Sequence, residues 1–132
     1  MSDHTPRSMR TPLGRVRHLG AARKGTGQFW HQRLTSVANV PLTIAVIVII
    51  MALLGRNHAA VVQILGSTFV SITMLLFVLT SAYHMWLGMQ VIIEDYVHDE
   101  VAKFATLMAN TFFSFAVGLA AVFAILKLSF GL

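Results

Sequence analysis

The sequence of 132 residues contains no cysteine, and only 11% of its residues are charged. The absence of cysteine excludes disulfide bridges, zinc–thiolate sites and thiol catalysis. A soluble domain carries about 25% charged residues, so a soluble fold of this composition would expose large apolar patches. Hydrophobic residues instead make up 56% of the chain, which must bury its surface in lipid, in partner proteins, or in both.

Acidic residues are also scarce, with five Asp and Glu against ten Lys and Arg, and seven of the ten basic residues lie in the first 33 positions. This stretch is too polar, and too often interrupted by glycine and proline, to form a hydrophobic core. We interpret residues 1–26 as a basic, mobile N-terminal arm. Nucleic acid is not an expected partner, because the aromatic side chains that would stack on bases lie in the apolar part of the chain.

Three apolar runs follow the arm, and a helix over each run would be long enough to cross a hydrocarbon core of about 30 Å. The runs cover residues 36–54, 57–93 and 104–126. The middle run has no Asp, Glu, Lys or Arg in 37 residues, so a single helix over it would be tilted or would project beyond the lipid. Strands are not expected, because the runs are continuous rather than alternating.

These runs predict an all-α membrane protein, in which a transmembrane anchor domain at residues 27–132 follows the arm. Its three helices are expected at about residues 30–54, 60–94 and 102–129. Basic residues favour the cytoplasmic side of a membrane, so we expect a cytoplasmic arm and a C-terminus on the opposite side. The acidic connection after the second helix has little weight in this rule and does not change the expected orientation.

One ionisable residue, His84, lies at membrane depth in the middle run, which makes it a candidate functional residue. At 100° per residue, five residues share its helix face: Thr80, Ser81, Gly88, Val91 and Asp95. An imidazole on this face would be able to ligate haem iron through one nitrogen, and Gly88 would let a flat macrocycle approach the backbone. Ser81 and Thr80 would position the imidazole or bond a haem propionate.

The other interpretation of His84 is a histidine that hydrogen-bonds between helices, with Gly88 serving helix packing. No other histidine of the chain matches the depth of His84. If His84 binds haem with two axial histidines, the second histidine must therefore come from another chain.

Further candidates lie at the cytoplasmic ends of two helices. Asp95 and Tyr96 end the middle run, where a phenol would suit the carbonyl of a quinone, and a carboxylate would hold an arginine of a partner or assist proton uptake. Arg33 opens the first helix, where it would contact a haem propionate or a quinone headgroup. Each residue also has a structural interpretation, because tyrosine and basic residues anchor helices at membrane interfaces and acidic residues often mark a helix end.

The segment Ser81–Tyr96 (SAYHMWLGMQVIIEDY) resembles one protein family closely. It is similar to the second transmembrane helix of the small hydrophobic membrane-anchor subunit, the D subunit, of succinate dehydrogenase (respiratory complex II). The family pattern is a histidine, a glycine four residues later, and Asp-Tyr eleven and twelve residues after the histidine. Four residues match this pattern: His84, Gly88, Asp95 and Tyr96.

Residues 25–36 (GTGQFWHQRLTS) resemble the family's sequence at the start of its first helix, including an arginine–hydroxyl pair at Arg33 and Thr35. The resemblance extends over about residues 20–100. The three-helix layout and the polar arm fit the family over the whole chain, and the arm is similar to the alphaproteobacterial type.

The resemblance implies a role for each candidate. His84 would be an axial ligand of haem b, the other ligand coming from the large cytochrome b anchor subunit. Tyr96 would hydrogen-bond a ubiquinone carbonyl, and Asp95 would orient an arginine of the neighbouring subunit. Arg33 would approach a haem propionate or the quinone site. Two residues would pack on the haem face of the helix: Gly88 and Ser81.

The resemblance also implies that the chain performs no chemistry alone. It would anchor a flavoprotein subunit and an iron–sulfur subunit at the cytoplasmic face of a bacterial inner membrane, with its C-terminus in the periplasm. The lipid bilayer and ubiquinone would be its other partners, and the complex would serve the tricarboxylic acid cycle and aerobic electron transport.

Other interpretations of the residues stay open. A non-redox scaffold or assembly subunit would use the same helices for packing, with His84 as a hydrogen-bonding residue. A related fumarate reductase anchor would lack haem, and a stand-alone bis-histidine cytochrome would require a homodimer. A transporter or channel subunit would need an intramembrane charge pathway or broken half-helices, and the sequence indicates neither.

Overall fold

The structure is a computed structural model that describes Met9, residues 11–16 and residues 25–132. Every regular element in these ranges is an α-helix: α1 (Pro12–Val16), α2 (Gly25–Leu53), α3 (His58–Leu65), α4 (Thr68–Tyr96) and α5 (Glu100–Ser129). Helices α2, α4 and α5 are long and apolar enough to cross a membrane. The prediction of an all-α fold with three such helices is confirmed. The predicted mobile arm falls mostly on residues 1–8, 10 and 17–24, which lie outside the described residues.

Helix α2 begins at Gly25, inside the predicted arm, and ends at Leu53. The apolar run marks only the part of the helix that matches lipid, whereas the helix itself continues into the polar interface, where water satisfies its free terminal groups. Pro41 lies within α2 without ending it. Gly55 follows the helix with a φ of 71°, the left-handed conformation that commonly terminates a helix and that glycine adopts without strain.

The middle apolar run folds as two helices, so the prediction of one helix over residues 60–94 is wrong. The helix is interrupted at Gly66 and Ser67, between α3 and α4. Ser67 has an extended backbone (φ −66°, ψ 140°), and its hydroxyl donates to a carbonyl in the last turn of α3. The hydroxyl of Ser71 donates to another of these carbonyls at 2.9 Å. The two serines thus satisfy carbonyl groups that amides would satisfy in a continuous helix.

Gly66 also allows α5 to approach the break closely. A Cβ at Gly66 would lie 3.0 Å from the carbonyl oxygen of Val62 and 3.2 Å from that of Leu128 in α5. Both are backbone atoms, which cannot rotate away from a side chain. The remaining helix, α4, has 29 residues and is about 43 Å long, so it crosses a membrane by itself and α3 is an addition to that span.

Helix α4 is the middle helix of the bundle. It packs antiparallel to α2 on one side and to α5 on the other, whereas α2 and α5 make no close contact in the described part of the chain. The most apolar 18-residue stretch of α4 has a mean hydropathy of 1.6, against 2.4 for α2 and 2.0 for α5. A helix shielded by two neighbours can carry polar side chains that lipid would not tolerate.

Buried side chains are few, and they include more polar than apolar residues. In the described ranges the buried apolar residues are Val46, Leu87 and Ile93, and the buried polar residues are Thr35, Ser71, Asn110 and Ser114. Most large apolar side chains face outward, as suits a chain surrounded by lipid and partner subunits. The polar contacts between helices therefore identify the places where the fold is most specific.

Candidate functional site

His84 lies between α4 and α2 and is partly buried. Its Nδ1 is 2.9 Å from the hydroxyl oxygen of Thr35, a buried residue of α2. Its Nε2 is 3.4 Å from the amide nitrogen of Gln32, one turn earlier on α2. The first distance is that of a full hydrogen bond, whereas the second exceeds the usual range for one. One imidazole nitrogen is therefore firmly held, and the other is only weakly engaged.

Gly88 lies on the same side of α4 as His84. A Cβ built at Gly88 would lie 3.5 Å from Nε2 of Gln32, which is an ordinary van der Waals contact. Both residues therefore face Gln32 on α2. The neighbours of His84 thus include a residue without a side chain on α4 and a flexible amide on α2.

Ser81 and Thr80, which precede His84 by about one turn of α4, contact α2 through Asn39. The Thr80 hydroxyl donates to Asn39 Oδ1 at 2.7 Å, and the Ser81 hydroxyl approaches the same oxygen at 3.4 Å. Both hydroxyls thus join two helices of this chain. Contact of either one with a haem propionate stays a prediction.

A pocket of about 320 Å³ lies at the start of α2, next to His84. It is lined by Gln28, Phe29, Gln32, Arg33 and Val91. The guanidinium carbon of Arg33 lies 4.7 Å from the centre of the Phe29 ring, a cation–π contact. Gln28 Nε2 and Gln32 Oε1 are buried without a hydrogen-bond partner among the described residues. The pocket therefore holds an unused donor and an unused acceptor beside a cation. A buried amide atom without a hydrogen-bond partner costs free energy, which a ligand that binds these atoms would recover.

Asp95 and Tyr96 lie at the C-terminal end of α4, and both are exposed, Tyr96 to 77%. Because α4 is one uninterrupted helix, Asp95 stands eleven residues beyond His84, about 16 Å along the axis. The Arg33 pocket lies at the same end of the bundle, because α2 and α4 are antiparallel. The structure thus links His84 to the Arg33 pocket through Gln32, and it leaves Asp95 and Tyr96 on the open surface at that end.

The opposite side of α4 is joined to α5 by polar groups that pair with each other. Trp86 Nε1 donates to the Thr111 hydroxyl at 3.1 Å, and Asn110 Nδ2 donates to the Trp86 carbonyl at 3.1 Å. The Ser114 hydroxyl lies 3.4 Å from Asn110 Oδ1. The first two contacts join α4 to α5, and the third lies within α5.

An apolar groove of about 430 Å³ also lies between α4 and α5, with Tyr83, Trp86 and Phe115 among its lining residues. The Tyr83 hydroxyl is 3.3 Å from His31 Nδ1, and the Tyr83 and Trp86 ring centres are 5.7 Å apart. The polar atoms of Tyr83 and Trp86 are therefore bonded within the chain. This groove offers apolar surface, in contrast to the free polar atoms of the Arg33 pocket.

The predicted site residues do not include several residues that make these contacts, among them Gln32, Thr35, Asn39 and Asn110. Gln32, Thr35 and Asn39 are spaced three and four residues apart, so they share one face of α2. Polar residues at this spacing are a signal for a polar face of α2, although spacing alone does not place that face opposite His84. The signal on α5 is weaker, because only Ser114 follows Asn110 at helical spacing.

A family model described as "Succinate dehydrogenase/Fumarate reductase transmembrane subunit" matches residues 7–125 of the chain. The chain belongs to this family. Membership, together with three helices that are apolar enough to cross a membrane, identifies a multi-pass membrane protein. The family resemblance carried by His84, Gly88, Asp95 and Tyr96 is thereby confirmed, although the match does not test the roles of these residues.

Two curated relatives carry the name succinate dehydrogenase hydrophobic membrane anchor subunit. The relative from Paracoccus denitrificans is 27% identical over 121 residues, which are 92% of this chain and 93% of the relative. The relative from Rickettsia bellii (strain RML369-C) is 28% identical over 105 residues, which are 80% of this chain and 84% of the relative. Both organisms are alphaproteobacteria, in agreement with the predicted type. No solved structure shows a significant match to the chain.

Proposed function

We propose that the chain is the hydrophobic membrane anchor of a succinate dehydrogenase, that His84 supplies one axial ligand of a haem b, and that the end of α4 forms part of a ubiquinone-reduction site. The family match and the names of both relatives support the anchor function. The flavoprotein, iron–sulfur and large cytochrome b subunits are the partners that this function requires. The chain contributes binding groups to the complex and catalyses nothing alone.

The observation that carries the haem proposal is the unequal engagement of the two nitrogens of His84. Thr35 holds Nδ1 at 2.9 Å, and Gln32 approaches Nε2 only at 3.4 Å. An imidazole fixed through one nitrogen and nearly free at the other is what an axial haem ligand requires.

The residues around His84 fit a haem. Gly88 adds no side chain to the α4 face, and the group that covers Nε2 is one flexible amide whose Oε1 has no partner in the described part of the chain. Rotation of the Gln32 side chain would expose Nε2 without breaking a strong hydrogen bond. A bound haem b would supply a one-electron redox centre within the membrane. Because no other histidine of the sequence matches the depth of His84, the second axial ligand is expected from the large cytochrome b subunit.

The Arg33 pocket is the proposed place for an anionic or carbonyl-bearing group at the same end of the bundle. Its guanidinium would pair with a haem propionate or donate a hydrogen bond to a quinone carbonyl. The unused donor at Gln28 gives such a group one further hydrogen-bond partner within the pocket, whereas Oε1 of Gln32 can only accept.

Tyr96 and Asp95 are the proposed quinone-site residues. Quinone reduction needs two electrons and two protons, and the exposed end of α4 has access to water and to a docked iron–sulfur subunit. The Tyr96 phenol would donate to a quinone carbonyl, and the Asp95 carboxylate would orient an arginine of the neighbouring subunit. We place this end of the bundle at the cytoplasmic face of the inner membrane, because the basic residues of the chain concentrate before α2.

Two other functions remain compatible with the family. A non-redox scaffold would use His84 and Asn39 for helix packing, which agrees with the hydrogen bonds to both residues. A fumarate reductase anchor without haem would belong to the same family, whose description includes both enzymes. The presence or absence of haem on His84 separates these two functions from the proposal.

The test of the proposal is the haem-to-flavin ratio of the purified complex with His84→Ala, beside wild type and His31→Ala. His31 is a matched control, because it is an exposed histidine of α2 that contacts Tyr83 rather than His84. We expect haem b in wild type and in His31→Ala, and its loss in His84→Ala with the flavoprotein still attached. A wild-type complex without haem, or unchanged haem in His84→Ala, would refute the proposed role of His84.

A further inference from the structure

We infer that Thr35 is a positioning residue that fixes His84 in the tautomer protonated on Nδ1, so that Nε2 is the nitrogen that binds iron. The inference rests on the proposed haem-ligand function of His84 and deepens it. It concerns a residue of α2 that touches neither substrate nor cofactor and acts through the imidazole alone.

The Thr35 hydroxyl has three neighbours and only one hydrogen to donate. Its oxygen lies 2.8 Å from the carbonyl oxygen of His31, 3.0 Å from that of Gln32 and 2.9 Å from His84 Nδ1. A carbonyl oxygen can only accept a hydrogen bond. If the hydroxyl hydrogen pointed to Nδ1, the hydroxyl oxygen would contact both carbonyl oxygens with no hydrogen between them, so the hydrogen must point to the carbonyls. The hydroxyl then presents a lone pair to Nδ1, and Nδ1 must carry the proton.

The position of the Gln32 amide, next to the other nitrogen of the ring, is consistent with the same tautomer. Its amide nitrogen, which can only donate, faces His84 Nε2 at 3.4 Å. If Nε2 carried a proton, its N–H would face the N–H of the Gln32 amide, and neither group would have an acceptor. The hydroxyl geometry thus gives Nε2 a free lone pair, and the long amide contact is consistent with it.

The rigidity of Thr35 makes it a suitable fixed acceptor. Its side chain is buried, with 8% exposed, and its hydroxyl is bonded to the backbone of its own helix. A hydrogen bond accepted from Nδ1–H increases the electron donation of the imidazole through Nε2, which stabilises an oxidised metal more than a reduced one. Thr35 is therefore expected to lower the midpoint potential of a haem bound to His84.

Asn39 provides a matched control for helix packing. It lies one turn after Thr35 on the same face of α2, and it accepts a 2.7 Å hydrogen bond from Thr80. Removal of this bond weakens the same pair of helices without touching the ring of His84. Any effect that is specific to the tautomer must therefore be absent when Asn39 is replaced.

The experiment compares four purified complexes: wild type, Thr35→Val, Thr35→Ser and Asn39→Leu. The midpoint potential of the haem is measured by redox titration, and the low-spin EPR signal of the oxidised haem is recorded. We expect Thr35→Val to shift the potential in the positive direction and to move the EPR signal, whereas Thr35→Ser and Asn39→Leu stay at the wild-type values. Haem present with unchanged potential and signal in Thr35→Val would overturn the inference, and so would an equal shift in Asn39→Leu.

A direct measurement of the tautomer separates this inference from the haem proposal. Complex that lacks haem, labelled with 15N-histidine, gives imidazole nitrogen signals whose shifts distinguish protonated from unprotonated nitrogens, and His84→Gln assigns those of His84 by difference. We expect a protonated Nδ1 and an unprotonated Nε2 in wild type at alkaline pH. The opposite tautomer would overturn the role of Thr35 whether or not the native complex binds haem.

Discussion

Helix α4 packs against α5 on one side and against α2 on the other, and the polar side chains at the two interfaces differ in how completely they are hydrogen-bonded. Towards α5, the polar atoms of Trp86, Thr111 and Asn110 pair with one another across the interface. Towards α2, His84 makes one short and one long contact, and Gln28 and Gln32 each leave a buried atom without a partner in the described residues. Among the described residues, the polar atoms of the first interface are paired, whereas those of the second are only partly paired.

This difference distinguishes an interface that serves helix packing from one that is suited to bind a ligand. Hydrogen bonds inside a membrane stabilise helix association, and a completed set needs no ligand. A buried polar atom without a partner costs free energy, so its persistence in a fold is best explained by a group that binds there. On this comparison, we propose the α2 side of α4 and the helix end beyond it as the binding region, and the α5 side as an interface that serves packing.

The two tyrosines of the chain give the largest expected difference between these regions. Tyr96 lies at the exposed end of α4, and Tyr83 lines the groove on the α5 side. Loss of a hydrogen bond to the reacting quinone in Tyr96→Phe should lower kcat/KM for quinone reduction at least about tenfold, since about 1.4 kcal/mol is a factor of ten. Steady-state kinetics of the purified complex measure this effect. Equal rates in Tyr96→Phe and wild type, or an equal loss in Tyr83→Phe, would remove Tyr96 from the quinone site.

Two glycines, one on each side of α4, give a matched pair with a smaller expected effect. A Cβ at Gly88 would lie 3.5 Å from Gln32 Nε2, and a Cβ at Gly118 in α5 would lie 3.6 Å from the Cβ of Ala82. Packing within the chain therefore accepts alanine equally at both positions. If the Gly88 face receives a macrocycle, Gly88→Ala should lower the haem-to-flavin ratio or shift the haem spectrum, and Gly118→Ala should do neither. Identical spectra for both variants would contradict the proposal that the Gly88 face of α4 receives a macrocycle.

Asn110 gives the smallest expected effect, and it concerns stability alone. Asn110→Leu removes the hydrogen bond to the Trp86 carbonyl, which should destabilise the α4–α5 contact by about 1 kcal/mol. A lower midpoint of thermal unfolding in detergent, with the haem spectrum unchanged, is the expected result. A haem spectrum that changes with Asn110→Leu would show that the two sides of α4 are not independent.

The sequence predicts the architecture well because the bilayer sets the length of an apolar helix. It does not predict the break at Gly66 and Ser67, because the residues there are uncharged and the apolar run continues through them. Local hydrogen bonds from two serine hydroxyls accompany that break, and the close backbone approach by α5 is a tertiary contact that hydropathy does not reveal. The helix ends also differ from the apolar boundaries, because a helix continues beyond the lipid.

The candidate site is predictable on α4 and not on α2. A lone histidine in an apolar run, with Gly88 one turn away, identifies one face of α4 from spacing alone. The residues that meet this face, Gln32 and Thr35, depend on the register between two helices, which hydropathy does not determine. The tautomer of His84 depends on the same register, because it follows from the carbonyls that surround the Thr35 hydroxyl.

The most direct test of the account is a reduced-minus-oxidised spectrum of the purified His84→Gly complex, recorded before and after addition of imidazole. Glycine removes the ligand and leaves space for a free imidazole to take its place. The account predicts no b-type haem band, or an altered one, without imidazole, and recovery of the wild-type band when imidazole is supplied with haem. A wild-type band in His84→Gly without added imidazole would contradict the assignment of His84 as the haem ligand.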